Sequence, residues 1–245
     1  SSKITIKNYK KIESENLEDI PKILEEETGE RFRLKREANK IMLIKFENPP
    51  KRRGVHFLNL ENGKYKNFSI SELKNWNGLF VCGESGTGKS VLVKELIKNK
   101  NTIIYSPKGD EDFKEGKPFG EEAIKEIRKL VDNYKALKEE TILIIDEVIS
   151  FIALSKQVDK AILKDLSVLF TINRSSNLKI ILISQKLNKD ADLDISLLNY
   201  KIINHKEIGN FKSTLGISRI KTNIQSLKVG QFLIFTEEGE GIITN

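Results

Sequence analysis

Residues Gly83-Glu84-Ser85-Gly86-Thr87-Gly88-Lys89-Ser90 fit the pattern G-x-x-x-x-G-K-[ST]. That pattern constrains the fold strongly, because it works as a phosphate cradle only between a strand and a helix. Both flanks are present. The apolar run Gly78-Leu79-Phe80-Val81-Cys82 enters the loop, and Val91, Leu92, Leu96 and Ile97 mark an apolar helix face after it. Glycine lets the backbone curl so that successive N–H groups point at a phosphate, with the helix N-terminus behind them. Lys89 then reaches the β- and γ-oxygens, and the Ser90 hydroxyl is placed to ligate Mg²⁺. The expected ligand is a nucleoside triphosphate, ATP with Mg²⁺, held by residues Gly83 through Val91.

A second apolar run, Thr141-Ile142-Leu143-Ile144-Ile145, ends in Asp146-Glu147. Continuous apolar runs of this length are typical of parallel strands buried on both faces, and ligands gather at the carboxyl ends of such strands. Asp146 is suited to the Mg²⁺ shell and Glu147 to general-base activation of water. Together the two motifs favour ATP hydrolysis over passive binding.

The rest of the chain divides at about residue 77. Before it, Ile4-Thr5-Ile6 and Ile41-Met42-Leu43-Ile44 read as strands around a charged helix near Leu17 to Glu27. Val55 to Leu60 and Tyr65 to Phe68 flank Asn62-Gly63, a hairpin signal. Residues 1–77 therefore read as a small, mostly β module, and 78–245 as a RecA-like P-loop ATPase domain. In the latter, Thr102-Ile103-Ile104-Tyr105 is a short strand, Lys108 to Gly120 a loop, and Ile124, Ile127, Leu130, Val131, Tyr134 and Leu137 a helical stripe. The fold class expected is α/β, a parallel-core sheet flanked by helices.

A third apolar strand, Lys179 to Ile183, ends in Ser184-Gln185 and belongs beside the Asp146 strand. There the Gln185 amide can meet the γ-phosphate or the lytic water. Arg174 lies upstream at a helix end, in Phe170-Thr171-Ile172-Asn173-Arg174-Ser175-Ser176-Asn177. Arg174, the small-residue turn, the buried strand and Ser184-Gln185 together resemble the FtsK/HerA superfamily of DNA-pumping ATPases, with Ser184 where the family has Thr. Leu197 to Asn204 and Leu227 to Ile234 are similar to that family's following helix-to-strand passage and terminal hairpin. Glu84 departs from the small or hydroxyl residue more frequent in this loop. The resemblance, over about Leu79 to Phe235, implies a hexameric ring with nucleotide at subunit interfaces. It also implies Arg174 as an arginine finger reaching a neighbour's γ-phosphate. Glu147, Lys89, Gln185 and Arg174 are then the catalytic set, and Ser90 and Asp146 the metal ligands. The implied partner is double-stranded DNA, gripped through its phosphates without regard to sequence. Membrane, conjugation or capsid partners would be met through the N-terminal region.

Composition bears on this only broadly. Of 245 residues, 42 are Lys or Arg and 35 Asp or Glu, a net charge of +7 that suits a polyanionic partner. Cys82 is the single cysteine, so no disulfide forms within the chain, which fits a reducing cytoplasmic setting. No apolar run reaches bilayer-spanning length. The Ser1-Ser2 start without Met leaves room for an upstream membrane tether, and a virion-associated setting is equally compatible. His56 and His205 are too isolated for a metal or acid–base pair, and Trp76 reads as core. Two segments, Lys108 to Lys117 and Val148 to Lys156, are topologically placed to face a pore. The competing reading is a secretion-associated ATPase acting on protein. A nucleotide-bound scaffold with little turnover is disfavoured by Glu147, and a small-molecule kinase by the Arg–strand–Gln arrangement.

Overall fold

The structure, a computed structural model, describes residues 3–6, 14–37, 40–48, 54–60, 62–109, 113–172, 176–186, 192–217, 220, 227–236 and 239–244. Two sheets organise them. The smaller has three antiparallel strands in the order β1 (Lys3–Ile6), β3 (Lys40–Lys45), β2 (Phe32–Glu37), with α1 (Ser14–Thr28) between β1 and β2 in sequence. Strand β2 carries only a short signal in the sequence: Phe32-Arg33-Leu34-Lys35 alternates as a strand does, but Arg36 and Glu37 end the alternation after four residues.

The larger sheet has nine strands. In sequence they are β4 (His56–Asn59), β5 (Lys64–Asn67), β6 (Gly78–Gly83), β7 (Thr102–Tyr105), β8 (Thr141–Ile145), β9 (Leu178–Ser184), β10 (Tyr200–Asn204), β11 (Gln231–Thr236) and β12 (Gly239–Thr244). In space the order is β5-β4-β12-β11-β10-β6-β9-β8-β7. From β10 to β7 every pairing is parallel, whereas β11, β12, β4 and β5 add to β10 as antiparallel neighbours. The hairpin at Asn62-Gly63 is therefore the outer edge of the large sheet, so a boundary at residue 77 passes through the sheet. It also touches the small one. Gly63 has φ +71°, and a Cβ there would lie 2.4 Å from the Lys45 carbonyl oxygen, so only glycine fits both the turn and the approach of β3. The Glu47 N–H donates to the Gly63 carbonyl at 2.8 Å, and the Tyr65 N–H to Glu47 Oε2 at 3.0 Å.

The parallel strands are apolar on both faces, and period-2 alternation sends neighbours into separate cores. Leu79, Val81, Ile142, Ile144, Ile181 and Ile183 pack on one side with Leu92, Val93 and Leu96 of α2 (Lys89–Leu96). Phe80, Cys82, Leu143, Ile145, Ile180 and Leu182 pack on the other. That second face is covered by α3 (Glu121–Asp132), α4 (Val148–Val158) and α5 (Ala161–Ile172). Each such buried Leu, Ile or Phe contributes about 1.5–3 kcal/mol, so the parallel half forms a rigid platform. Two expectations need adjusting. Val91 is 56% exposed, and Val93 takes its place in the buried face of α2. The Val148 to Lys156 segment lies wholly within helix α4, with Val148, Phe151, Ile152 and Ser155 buried.

Candidate nucleotide site

Strand order decides which loops can meet. Strand β9 runs between β6 and β8, so the carboxyl ends of three parallel strands stand side by side: the glycine loop, Ser184-Gln185 and Asp146-Glu147. Between them lies a cleft of about 490 Å³ whose walls include Lys89, Ser90, Asp146, Glu147 and Gln185. That size suits a small-molecule ligand.

The glycine loop has the backbone its sequence requires. Gly86 and Gly88 have φ of +77° and +91°, and Gly88 is the residue from which α2 starts. Lys89 is buried, and its ammonium donates to the carbonyls of Gly83 at 2.8 Å and Glu84 at 3.0 Å, fixing the side chain across the mouth of the loop. The loop is braced from behind. The Glu84 N–H donates to the Asn204 carbonyl at 3.3 Å, and the Gly230 N–H donates to the Thr87 carbonyl at 3.0 Å. Glu84 Oε2 lies 3.7 Å from Lys206 Nζ, which gives this unusual loop residue a partner on the exposed surface.

Glu147 has φ +57° and ψ +64°, a left-handed conformation that costs a non-glycine residue about 1–2 kcal/mol. It is the N-cap of α4, and the Phe151 N–H donates to its carbonyl. Strain at a catalytic-looking carboxylate is the kind that surrounding structure holds for function. Burial pushes the Glu147 carboxyl above the usual range, and the nearby Asp146 charge adds to this. Lys89, the Gln185 backbone N–H and Lys186 pull it back. A base with a raised pKa accepts a proton more readily once deprotonated. Gln185 thus reaches the carboxylate through its main chain, while its exposed side chain stands at the cleft wall. Asp146 accepts a hydrogen bond from Ser106 Oγ at 3.0 Å. Beside the loop, burial holds the Cys82 thiol at about 12, so it stays protonated.

Arg174 lies outside the described residues, so the finger role stays an expectation. Sequence reasoning missed Ser106 and the Gly230 contact. The former follows the end of β7, where the rule that placed Asp146 also applies. The latter joins parts of the chain too distant for any local pattern to relate.

Residues 79–199 match the family described as "ATPase family associated with various cellular activities (AAA)". The region has the P-loop NTPase fold and is similar to AAA-type ATPase domains. No curated protein matches the sequence. Among solved structures, EccC (ATPases 2 and 3) of Thermomonospora curvata, in complex with a signal sequence peptide, is 13% identical with a TM-score of 0.53. That match covers 79% of this chain and 40% of EccC, so the chain spans well under half of that protein. The genome packaging NTPase B204 of Sulfolobus turreted icosahedral virus 2, in complex with sulfate, is 15% identical with a TM-score of 0.52, covering 71% of this chain and 98% of B204. Its complex with AMPPCP is 16% identical with a TM-score of 0.50, over 71% and 98%. At these identities the likeness is one of fold. Among the described residues, no helix of the ATPase domain or of the rest of the chain is long and apolar enough to cross a membrane.

Proposed function

We propose that the chain is an ATP-driven motor of the FtsK/HerA type, moving double-stranded DNA through a ring of identical subunits in DNA transfer or genome packaging. The observation that carries the hydrolytic part is the convergence of Lys89, Ser90, Asp146, Glu147 and Gln185 on one cleft. Lys89 would neutralise the β- and γ-phosphate oxygens while the loop N–H groups hold them. Glu147 would take the proton of the attacking water, its carboxylate aimed by the Gln185 N–H. The Gln185 side chain would sit where loss of the γ-phosphate is felt. The Ser90 hydroxyl and Asp146 carboxylate are hard oxygen donors on facing walls of the cleft, a set that fits Mg²⁺. Bound there, Mg²⁺ would supply charge neutralisation across the phosphates. Arg174, contributed by a neighbouring subunit, would complete the charge set, a contribution worth about 10³–10⁵ in rate in other systems.

Two observations support DNA as the cargo: the net charge of +7, and a match over nearly the full length of B204, named a genome packaging NTPase. The fit to EccC favours a second reading, a secretion ATPase moving protein. Steady-state ATPase rates with and without long double-stranded DNA, at low and physiological salt, separate them, with Lys89→Ala as the inactive control. Stimulation that fades with salt is expected of a phosphate-gripping motor. Turnover indifferent to DNA in an assembled sample would transfer the proposal to protein secretion.

A further inference from the structure

Ser106 is fully buried, yet its hydroxyl serves the cleft rather than the core. It follows β7, whose ladder with β8 is prolonged by the Asp146 N–H donating to the Tyr105 carbonyl at 2.8 Å. Ser106 and Asp146 are thus neighbours by register, one residue past the ends of adjacent parallel strands. The Ser106 Oγ accepts the Lys108 N–H at 3.4 Å, which directs its own proton toward Asp146 Oδ2, 3.0 Å away. A hydroxyl has one proton to donate.

The main chain of Ser106 is also fixed. Its N–H donates to the Lys117 carbonyl at 2.9 Å, and its carbonyl accepts the Gly109 N–H at 3.0 Å. Lys117 is held in turn, its ammonium 2.8 Å from Glu126 Oε2 on α3, which also accepts the Tyr105 hydroxyl at 2.5 Å. Phe113, buried in the α2-side core, anchors the far part of the loop. A donor mounted this way has no freedom to follow the carboxylate; the carboxylate must follow it.

We infer that Ser106 is a positioning residue for the metal shell. By occupying Asp146 Oδ2 with a fixed donor, it sets the rotation of the carboxylate and hence the direction it offers to Mg²⁺ beside Ser90. This rests on the proposed ATP and Mg²⁺ site and deepens it. Groups that orient a metal ligand typically cost 10–100-fold in metal affinity when removed. A serine that only filled space would leave the metal requirement alone.

The test is binding of a fluorescent, non-hydrolysable ATP analogue to the full chain, in EDTA and across a Mg²⁺ titration. Ser106→Ala should leave the EDTA affinity within about twofold while raising the Mg²⁺ midpoint about tenfold. Ser106→Cys, nearly isosteric and a poor donor, should do the same and covers the case where alanine fails to fold. Ser106→Thr should restore the wild-type midpoint. An unchanged midpoint in both Ala and Cys variants overturns the inference, as does equal weakening with and without Mg²⁺, which would mark a packing role. If the wild-type chain binds the analogue without any response to Mg²⁺, the metal site itself is wrong and this inference falls with it. If the wild-type chain does not bind at all, the ATPase reading has failed first.

Discussion

The two halves of the nine-stranded sheet share one ladder but work differently. From β10 to β7 the strands run the same way, are buried on both faces except at the start of the edge strand β7, and deliver their carboxyl ends to one edge. From β11 to β5 they alternate in direction, so successive strand ends fall on opposite edges and nothing converges. That half ends in β5, where Lys64, Lys66 and Asn67 are exposed, polar residues that discourage further strand pairing. Chemistry gathers where directions agree, and the antiparallel half serves as a brace. It touches the glycine loop through the Gly230 N–H, which donates to the Thr87 carbonyl.

The sharpest way to break this contrast is at the parallel edge. Glu147→Gln should bind ATP but lose about 10²–10⁴ in turnover, measured by single-turnover hydrolysis. Near-normal turnover would remove the base from this edge altogether. The wild-type rate should also fall on the acid side at a pH above the ordinary carboxylate range, because burial and Asp146 raise the Glu147 carboxyl and only its deprotonated form acts as base. An acid limb at the usual carboxylate value would contradict that.

Stability gives the next test. Ile181 is fully buried in β9, and Ile181→Ala should cost about 2–5 kcal/mol in denaturant unfolding. Lys66 on β5 makes an exposed ion pair with Glu72 at 3.2 Å, so Lys66→Ala should cost less than about 1 kcal/mol. Equal losses would mean that the brace is as integral as the platform.

Lys201 in β10, the parallel strand that borders the brace, offers a finer probe. Its buried ammonium donates to the Ser196 and Leu198 carbonyls, and burial lowers it to about 8. Above that value the folded chain has released a proton that the unfolded chain still holds, up to the ordinary lysine value near 10.5. Wild-type stability should therefore rise with pH across that window relative to Lys201→Met, by at most about 1.4 kcal/mol per pH unit. Below about 8 the two curves should run parallel. Parallel curves throughout would show that the ammonium titrates as if exposed.

What was legible in the sequence follows the same divide. Leu79 to Cys82, Ile142 to Ile145 and Ile180 to Ile183 are short continuous apolar runs, typical of doubly buried strands, and the motifs at their ends made the platform readable. The Asn62-Gly63 turn was readable too, but not its sheet, because pairing His56↔Thr244 joins residues far apart in the chain. Strand β2 escaped because its alternation stops after Lys35, where Arg36 and Glu37 follow. Ser106 escaped because the strand-end rule marks its place but not its partner, and the partner is set by a register shared with Asp146.

Strand β9 threads between two strands made long before it. Gly78 pairs with Ile180 across about a hundred residues, while β8 meets β9 and never β6. A chain leaving the ribosome with both nucleotide motifs already synthesised therefore holds two halves of a lock with no frame between them. The two strand ends are joined into one edge only when Leu178–Ser184 inserts between β6 and β8, so the frame of the cleft is among the later parts of the domain to be made.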